Sequence, residues 1–235
     1  MATLLALLLT PLVIATAAPA ASAAGAASTV NPNDLASLQR AAARQTAANP
    51  SLRRFCWWAQ LQRNGSFEVP PVPGATWFLT PGGGTVMWKT TNSGNNVELW
   101  GVNMGVPPFT GQQFAEINST AIDSLYEDVA TVPGTLLFWR LAHRARNTTT
   151  GVDIDTMQVA IGATGGSLIP QRPIGQFSPT IRSTDLAWHT RAGVYRVPPG
   201  QTSTQVAFQA LSGPAGYGNL LDGVVIIGLV CRGRR

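Results

Sequence analysis

The sequence predicts an all-β fold, a two-sheet β-sandwich of the jelly-roll kind, on three observations. Glycine (24) and proline (17) break the chain into short runs that are too brief for long helices. About ten of those runs, from Phe55 onward, have strand length and strand-like composition. The chain of 235 residues is 45% hydrophobic and 11% charged, so it can bury one sizeable core. Disorder throughout is excluded, and one main domain is expected.

Residues Leu4 to Ala18, "LLALLLTPLVIATAA", form an apolar run followed by the small-residue stretch "PAASAAGAAS". This reads as a secretory signal over residues 1–24, with cleavage near Ala23 or Ala24 after an A-x-A-like "ASA". Pro11 interrupts the run, which is also short for a membrane span. Residues 25–54 are expected as an N-terminal extension. Within it Asn33 or Asp34 offers a helix cap, alanine-rich residues continue to Ala48, and Pro50 stops the helix. The face of that helix is mostly alanine, so it would bury little surface.

Residues 55–235 are expected to form the sandwich. The strand-sized segments are "CWWAQLQ", "SFEV", "TVMWKTT", "NVELW", "QFAEIN", "SLYEDVATV", "TLLFWRLAHRAR", "DTMQVAIG", "LAWHTRAGVYRV", "TQVAFQAL" and "LLDGVVIIGLV". The last of these is apolar but only strand-sized, so no membrane span is expected. "PGGGT", from Pro81 to Thr85, lacks the lysine and helix of a phosphate loop and reads as a turn.

The formal charge of +5 comes almost entirely from dispersed arginines, Lys89 being the lone lysine. No extended basic face of the kind that grips nucleic acid is present, so a nucleic-acid partner is not expected. An exported chain matures where thiols oxidise, so Cys56 and Cys231 are expected to pair, the alternative being two unrelated buried thiols.

Alternation along Leu136–Arg146 sorts that segment by face. Leu137, Trp139, Leu141 and His143 point one way; Arg140, Arg144 and Arg146 point the other. His143 shares its side with core residues and is expected there. The three arginines are candidates for gripping hydroxyls or carboxylates, with Arg146 pairing Asp153 or Asp155 as the alternative. Trp88, Trp100, Trp188 and Tyr195 are candidate platforms for an apolar sugar face, each against the alternative of core packing. Glu116 shares parity with Phe114 and Asn118, which predicts a half-buried, engaged carboxylate. No G-x-S-x-G elbow, zinc helix or C-x-x-C is present, and no spacing singles out a carboxylate pair, so an enzyme is not expected.

Taken in order, "NGSFE", "NNVELWG", "GQQFAEIN", "SLYEDVATVPGT", "HRARNTTTGVDIDTM", "YRVPPGQTSTQVAFQAL" and "GNLLDGVVI" resemble bacterial extracellular modules with the galactose-binding-like jelly roll. The chain is similar to carbohydrate-binding modules that open with N-x-x-F-E and close with an I-D-D-V strand. The resemblance runs from about Leu61 to Ile227 and implies a secreted, non-catalytic module for a polysaccharide or cell-envelope glycan; the residue patterns, apart from the resemblance, offer Trp88, Trp100, Glu116, Arg140, Arg144, Arg146 and Asp155 as candidate ligand contacts. A structural or adhesion module without a sugar site is the alternative, and a polysaccharide hydrolase the third.

The same resemblance implies a structural calcium ion held by Glu68 and Asp222. Calcium takes about six to eight oxygens, so backbone carbonyls would have to complete the shell. Gly223 stands where a second aspartate is usual in that pattern. In an antiparallel ladder the numbers of paired residues sum to a constant, and the sums for Glu68–Asp222 and Cys56–Cys231 differ by only three. A first-to-last strand pairing therefore agrees with both a disulfide and a carboxylate pair.

Overall fold

The computed structural model describes residues 36–37, 40, 43–44, 55–102, 104–146, 155–183, 185–213 and 215–232. The expected signal segment, most of the expected N-terminal helix and Asp153 lie outside the described residues. Thirteen strands are described: β1 (Cys56–Gln60), β2 (Trp77–Pro81), β3 (Lys89–Thr90), β4 (Asn96–Gly101), β5 (Gln113–Glu116), β6 (Ser124–Ala130), β7 (Leu136–Arg144), β8 (Asp155–Ala163), β9 (Leu168–Gln171), β10 (Ile181–Ser183), β11 (His189–Arg196), β12 (Ser203–Ala210) and β13 (Leu220–Cys231). They form two antiparallel sheets, and the expected jelly-roll sandwich is what is seen.

One sheet has the order β11-β7-β13-β5-β4-β2, with β1 also on β13; the other has β10-β8-β12-β6-β3, with β9 also on β8. The long strand β13 pairs along one side with β7. Its other side takes β5 at Leu220 and Leu221 and β1 from Ile227 to Cys231, so two short strands share one edge. Strands β2, β9 and β10 were not among the sequence-predicted segments. "SFEV" is not a strand: Phe67 has a φ of 56°, and its N–H bonds Asn64 O at 3.0 Å in a turn.

The core follows from alternation. Leu137, Trp139 and Leu141 of β7 face Val159 and Ile161 of β8 and Val206 and Phe208 of β12, all buried in one cluster. Each such side chain contributes about 1.5–3 kcal/mol by leaving water. Trp139 lies flat on Gly193, its ladder partner in β11, where a Cβ would stand 2.2 Å from Cζ2 of the ring. Only glycine leaves room for that indole. His143 sits on the inner parity as expected, its Nε2 2.9 Å from Asn219 Oδ1; burial lowers its pKa to about 4, so the ring is neutral.

Strand β13 bulges between Asp222 and Val225, with Gly223 at φ 55°. A bulge frees backbone groups from the ladder, and buried ones need partners. Gln62 provides them: its Nε2 donates to Val224 O at 2.8 Å and its Oε1 accepts from Ile226 N at 2.7 Å. Val224 N donates to Gly65 O at 2.8 Å. The chain after β1 is thereby tied across the bulge.

Cys56 and Cys231 are bonded, and they are the terminal pair of the β1–β13 ladder. That confirms the first-to-last pairing. The ladder ends at Gln60–Ile227, however, so Glu68 does not reach Asp222 by register.

Candidate functional site

The outer face of the seven-stranded sheet carries most of the sequence-predicted residues. Arg140 and Arg144 project there from β7, Asp222 from β13, Glu116 from β5 and Trp100 from β4. The connection from Gly101 to Gln113 crosses this face. Trp188 Nε1 donates to Pro107 O at 2.8 Å, and Asp222 accepts from Thr110 N at 2.9 Å, which fixes the connection over the sheet.

The crossing arranges aromatic rings and guanidinium groups in a row. Arg140 lies over Phe109 at 5.7 Å, Phe109 is 6.3 Å from Trp188, and Trp188 meets Phe114 edge-on at 5.6 Å. Phe114 stacks on Trp100 at 5.9 Å, and the Arg146 guanidinium lies 4.4 Å from Trp100 and 4.0 Å from Tyr217. Each cation–ring contact of this kind is worth about 0.5–2 kcal/mol. The row is a stiff rim rather than a set of free platforms.

Several expected roles change on this geometry. Trp88 is 0% exposed, packed between Phe67 and Phe208 with its Nε1 donating to Asn64 O at 3.0 Å, and therefore belongs to the core. Tyr195 is also in the core, with its hydroxyl on Gln201. Trp100 is 5% exposed, its ring occupied by Arg146 and Phe114 and its Nε1 bonded to Glu98 at 2.9 Å. Arg144 is buried and donates to Ala145 O. Asp155 is buried and accepts the Arg146 N–H at 2.7 Å, whereas the Arg146 guanidinium goes to Glu116 at 2.9 Å. The alternative pairing of Arg146 with the Asp155 carboxylate is thus replaced by Glu116, thirty residues earlier in the chain.

Glu116 is fully buried rather than half buried. It stands opposite Glu98 in the β4–β5 ladder. Two buried carboxylates with one guanidinium between them cannot both ionise cheaply. Burial, reinforced by the Glu98 charge, pushes Glu116 up to about 8 against the pull of Arg146, and burial pushes Glu98 up to about 7.

Beside Phe109 of the crossing connection, two further exposed rings of this face were missed. Trp77 of β2 lies directly across from Trp100 and is 51% exposed, and Tyr217, beyond Arg146, is 47% exposed. The sequence carries a hint for each. Trp77 opens a short apolar run after a Pro/Gly turn, and Tyr217 sits in the glycine-rich "AGYGN", where no strand can bury it.

On the far flank of the crossing connection is an open cleft of about 470 Å³. Its floor is the β13 bulge at Gly223–Val225, Phe109 and Thr110 form one side, and Gln60, Ser66 and Arg140 contribute hydrogen-bonding groups. Gly223 is needed twice over. Its φ is positive, and a Cβ there would stand 2.8 Å from the Phe109 ring. Among the described residues Arg140 is the sole charged one lining the cleft.

Glu68 and Asp222 meet at the same crossing segment. Glu68 Oε1 accepts from Gln112 N at 2.9 Å and Gln113 N at 3.3 Å, while Asp222 accepts from Thr110 N and Gly223 N. Burial raises Asp222 to about 7, and the nearby Glu68 charge adds to that rise. Two mutually repelling carboxylates of oxygen character suit one side of a hard-cation shell. Among the described residues no cluster of three or more acidic, histidine or cysteine side chains stands there. The backbone hydrogen bonds account for the position of both groups on their own.

No protein-family model matches the chain, and no curated protein matches it. Solved structures similar to it include a family 61 carbohydrate-binding module in complex with beta-1,4-galactotriose, at 12% identity and a TM-score of 0.46, covering 74% of this chain and 99% of that one. Another is a xylan-binding domain from Paenibacillus barcinonensis, at 16% identity and a TM-score of 0.40, covering 72% and 94%. A third is the enzymatically active domain of a bacteriophage CBA120 tailspike protein, at 15% identity and a TM-score of 0.44, covering 73% and 21%.

Proposed function

We propose that the protein is a secreted, non-catalytic glycan-binding module whose site is the outer face of the seven-stranded sheet, centred on the cleft beside Phe109. The observation that carries this reading is the cleft itself. It is open, floored by backbone, walled by an aromatic ring, and provided with side chains of Gln60, Ser66 and Thr110 that hold no hydrogen bond among the described residues. That combination of one apolar wall and several unspent neutral hydrogen-bonding groups matches the two-sided chemistry of a pyranose. Trp77 and Tyr217 extend the face with exposed rings.

The non-catalytic part of the reading is supported by the carboxylates. Glu98 and Glu116 are buried beneath Trp100 and Arg146, where no sugar bond can reach between them. Secretion is supported by the disulfide, a bond of oxidising compartments. No helix among the described residues is long and apolar enough to cross a membrane. A calcium ion held by Glu68 and Asp222 belongs to the same reading. It would fasten the crossing segment, and hence the Phe109 wall, to the sheet.

Titration calorimetry against galactan, xylan and acidic polysaccharides tests the proposal, with Phe109→Ala as the control. Binding is expected with at least one polymer and should weaken about ten-fold or more when the wall is removed. Absence of binding across the panel sinks the reading. A contact with protein at the sheet edge is the second reading, because the free edge strand β2 exposes both Trp77 and Leu79. It would show as concentration-dependent self-association or protein capture abolished by Trp77→Ala.

A further inference from the structure

Arg140 stands out among the arginines of the sheet. It projects from the middle of β7, opposite Val225 on one side and Ala192 on the other, two apolar ladder partners. Among the described residues it makes neither an ion pair nor a hydrogen bond, and its Nε is buried without a partner. By contrast, Arg146 has Glu116 and Arg63 has Glu127. The acid nearest in charge to Arg140 is Asp222, which is buried, spends its oxygens on the backbone N–H groups of Thr110 and Gly223, and forms no ion pair with it. Phe109 covers one face of the guanidinium, and Gly223, lacking a side chain, leaves the approach to it open.

A guanidinium is a planar fork of donors suited to a carboxylate, and here it is partly desolvated with its hydrogen-bonding edge unused. Desolvation strengthens whatever anion reaches it and makes an unpaired state expensive. Among the described residues no acidic side chain lines the cleft to repel such an anion. We propose that Arg140 makes this cleft selective for a sugar bearing a carboxylate, so that the module's ligand is a uronic-acid-containing glycan rather than a neutral one. The uronate carboxylate would take the Arg140 fork, while its ring hydroxyls meet Gln60, Ser66 and Thr110.

This inference rests on the glycan-binding reading, and the test separates the two. A galacturonic acid trimer and its methyl ester share the same sugar backbone and differ at the carboxyl groups, where the ester replaces each negative charge with a methyl ester. Wild-type protein is expected to bind the acid about ten-fold or more tightly than the ester, in line with a charge-assisted hydrogen bond. The acid's affinity should fall with added salt while the ester's stays level. Arg140→Gln should erase the preference, and Arg140→Lys, which keeps the charge but not the fork, should retain only part of it. Melting curves of both variants confirm the fold, and the salt dependence of wild type stands by itself if Arg140→Gln does not fold. Equal affinity for acid and ester, a flat salt response, or a preference that survives Arg140→Gln overturns the inference and leaves glycan binding in place. No binding of either form or of any polysaccharide overturns both.

Discussion

Breaking the Cys56–Cys231 bond should lower stability by an amount the topology dictates. The bond joins residues 175 apart in sequence. In the chain-entropy treatment, closing a loop of that size removes enough freedom from the denatured ensemble to be worth about 5 kcal/mol at 25 °C. In the native state little else should change, because the five-pair β1–β13 ladder and the Gln62 contacts across the bulge hold the two strands together without sulfur. The Cys56→Ser/Cys231→Ser double variant should therefore keep its far- and near-ultraviolet dichroism at 25 °C. Its melting temperature should fall by about 10–20 °C, at the 2–4 °C per kcal/mol expected for a domain of this size. Its denaturant m-value should rise, since an uncrosslinked denatured chain exposes more surface. Guanidinium titrations of wild type, reduced wild type and the double variant measure all three quantities. A loss below about 1 kcal/mol with an unchanged m-value would refute the reasoning, showing that the two ends remain associated after unfolding.

Stability should also depend on pH in an unusual direction. Burial raises Glu98 and Glu127 to about 7 and Glu116 to about 8, so between about pH 4.5 and pH 8 the native state holds protons that the unfolded chain has released. These groups contribute stability that is fully present near pH 4 and lost as pH rises through 7 and 8. Melting temperatures across that range should decline, and Glu116→Gln should make the decline shallower; a rise toward pH 8 would contradict the assignment. Adding calcium to chelator-treated protein should raise the melting temperature, and Glu68→Gln should remove the rise; no shift on adding calcium would leave the backbone hydrogen bonds as the full account of Glu68. Gly223→Ala combines a positive φ with a collision against Phe109 and should lose about 1–3 kcal/mol together with glycan binding, both checked on one sample. Trp77→Ala should leave the melting temperature within about 2 °C, because the ring is half in solvent; a large loss would mean the edge strand is structural.

Much of the fold was legible because it is written in short-range patterns. The alternation along Leu136–Arg144 sorted core from face correctly, placing Trp139 and His143 inside and Arg140 outside. Strands β9 and β10 left no such signal, since four and three residues do not establish a period and Pro170 lies within β9. The site was harder to read because it depends on partners distant in sequence. Nothing near Trp88 says that Phe208 will lie against it, and nothing near Trp100 says that Arg146 will cover it. Gln62 looks like an ordinary polar residue until the bulge opposite requires its amide. The Glu68–Asp222 reading identified a true neighbourhood by a route the chain does not take: the two acids share the segment at Thr110–Gln113, and neither faces the other along a ladder.

The sulfur bond at the foot of the β1–β13 ladder also governs how the domain bears load. Phe55 and Arg232 are hydrogen-bonded neighbours, so the two ends of the described sandwich lie at the same pole. Tension applied at those two ends would run from one backbone to the other across a covalent link and bypass the ladders between them. A pull on both ends would meet the sulfur link before the sandwich, as a pull on two threads meets the knot above the bead.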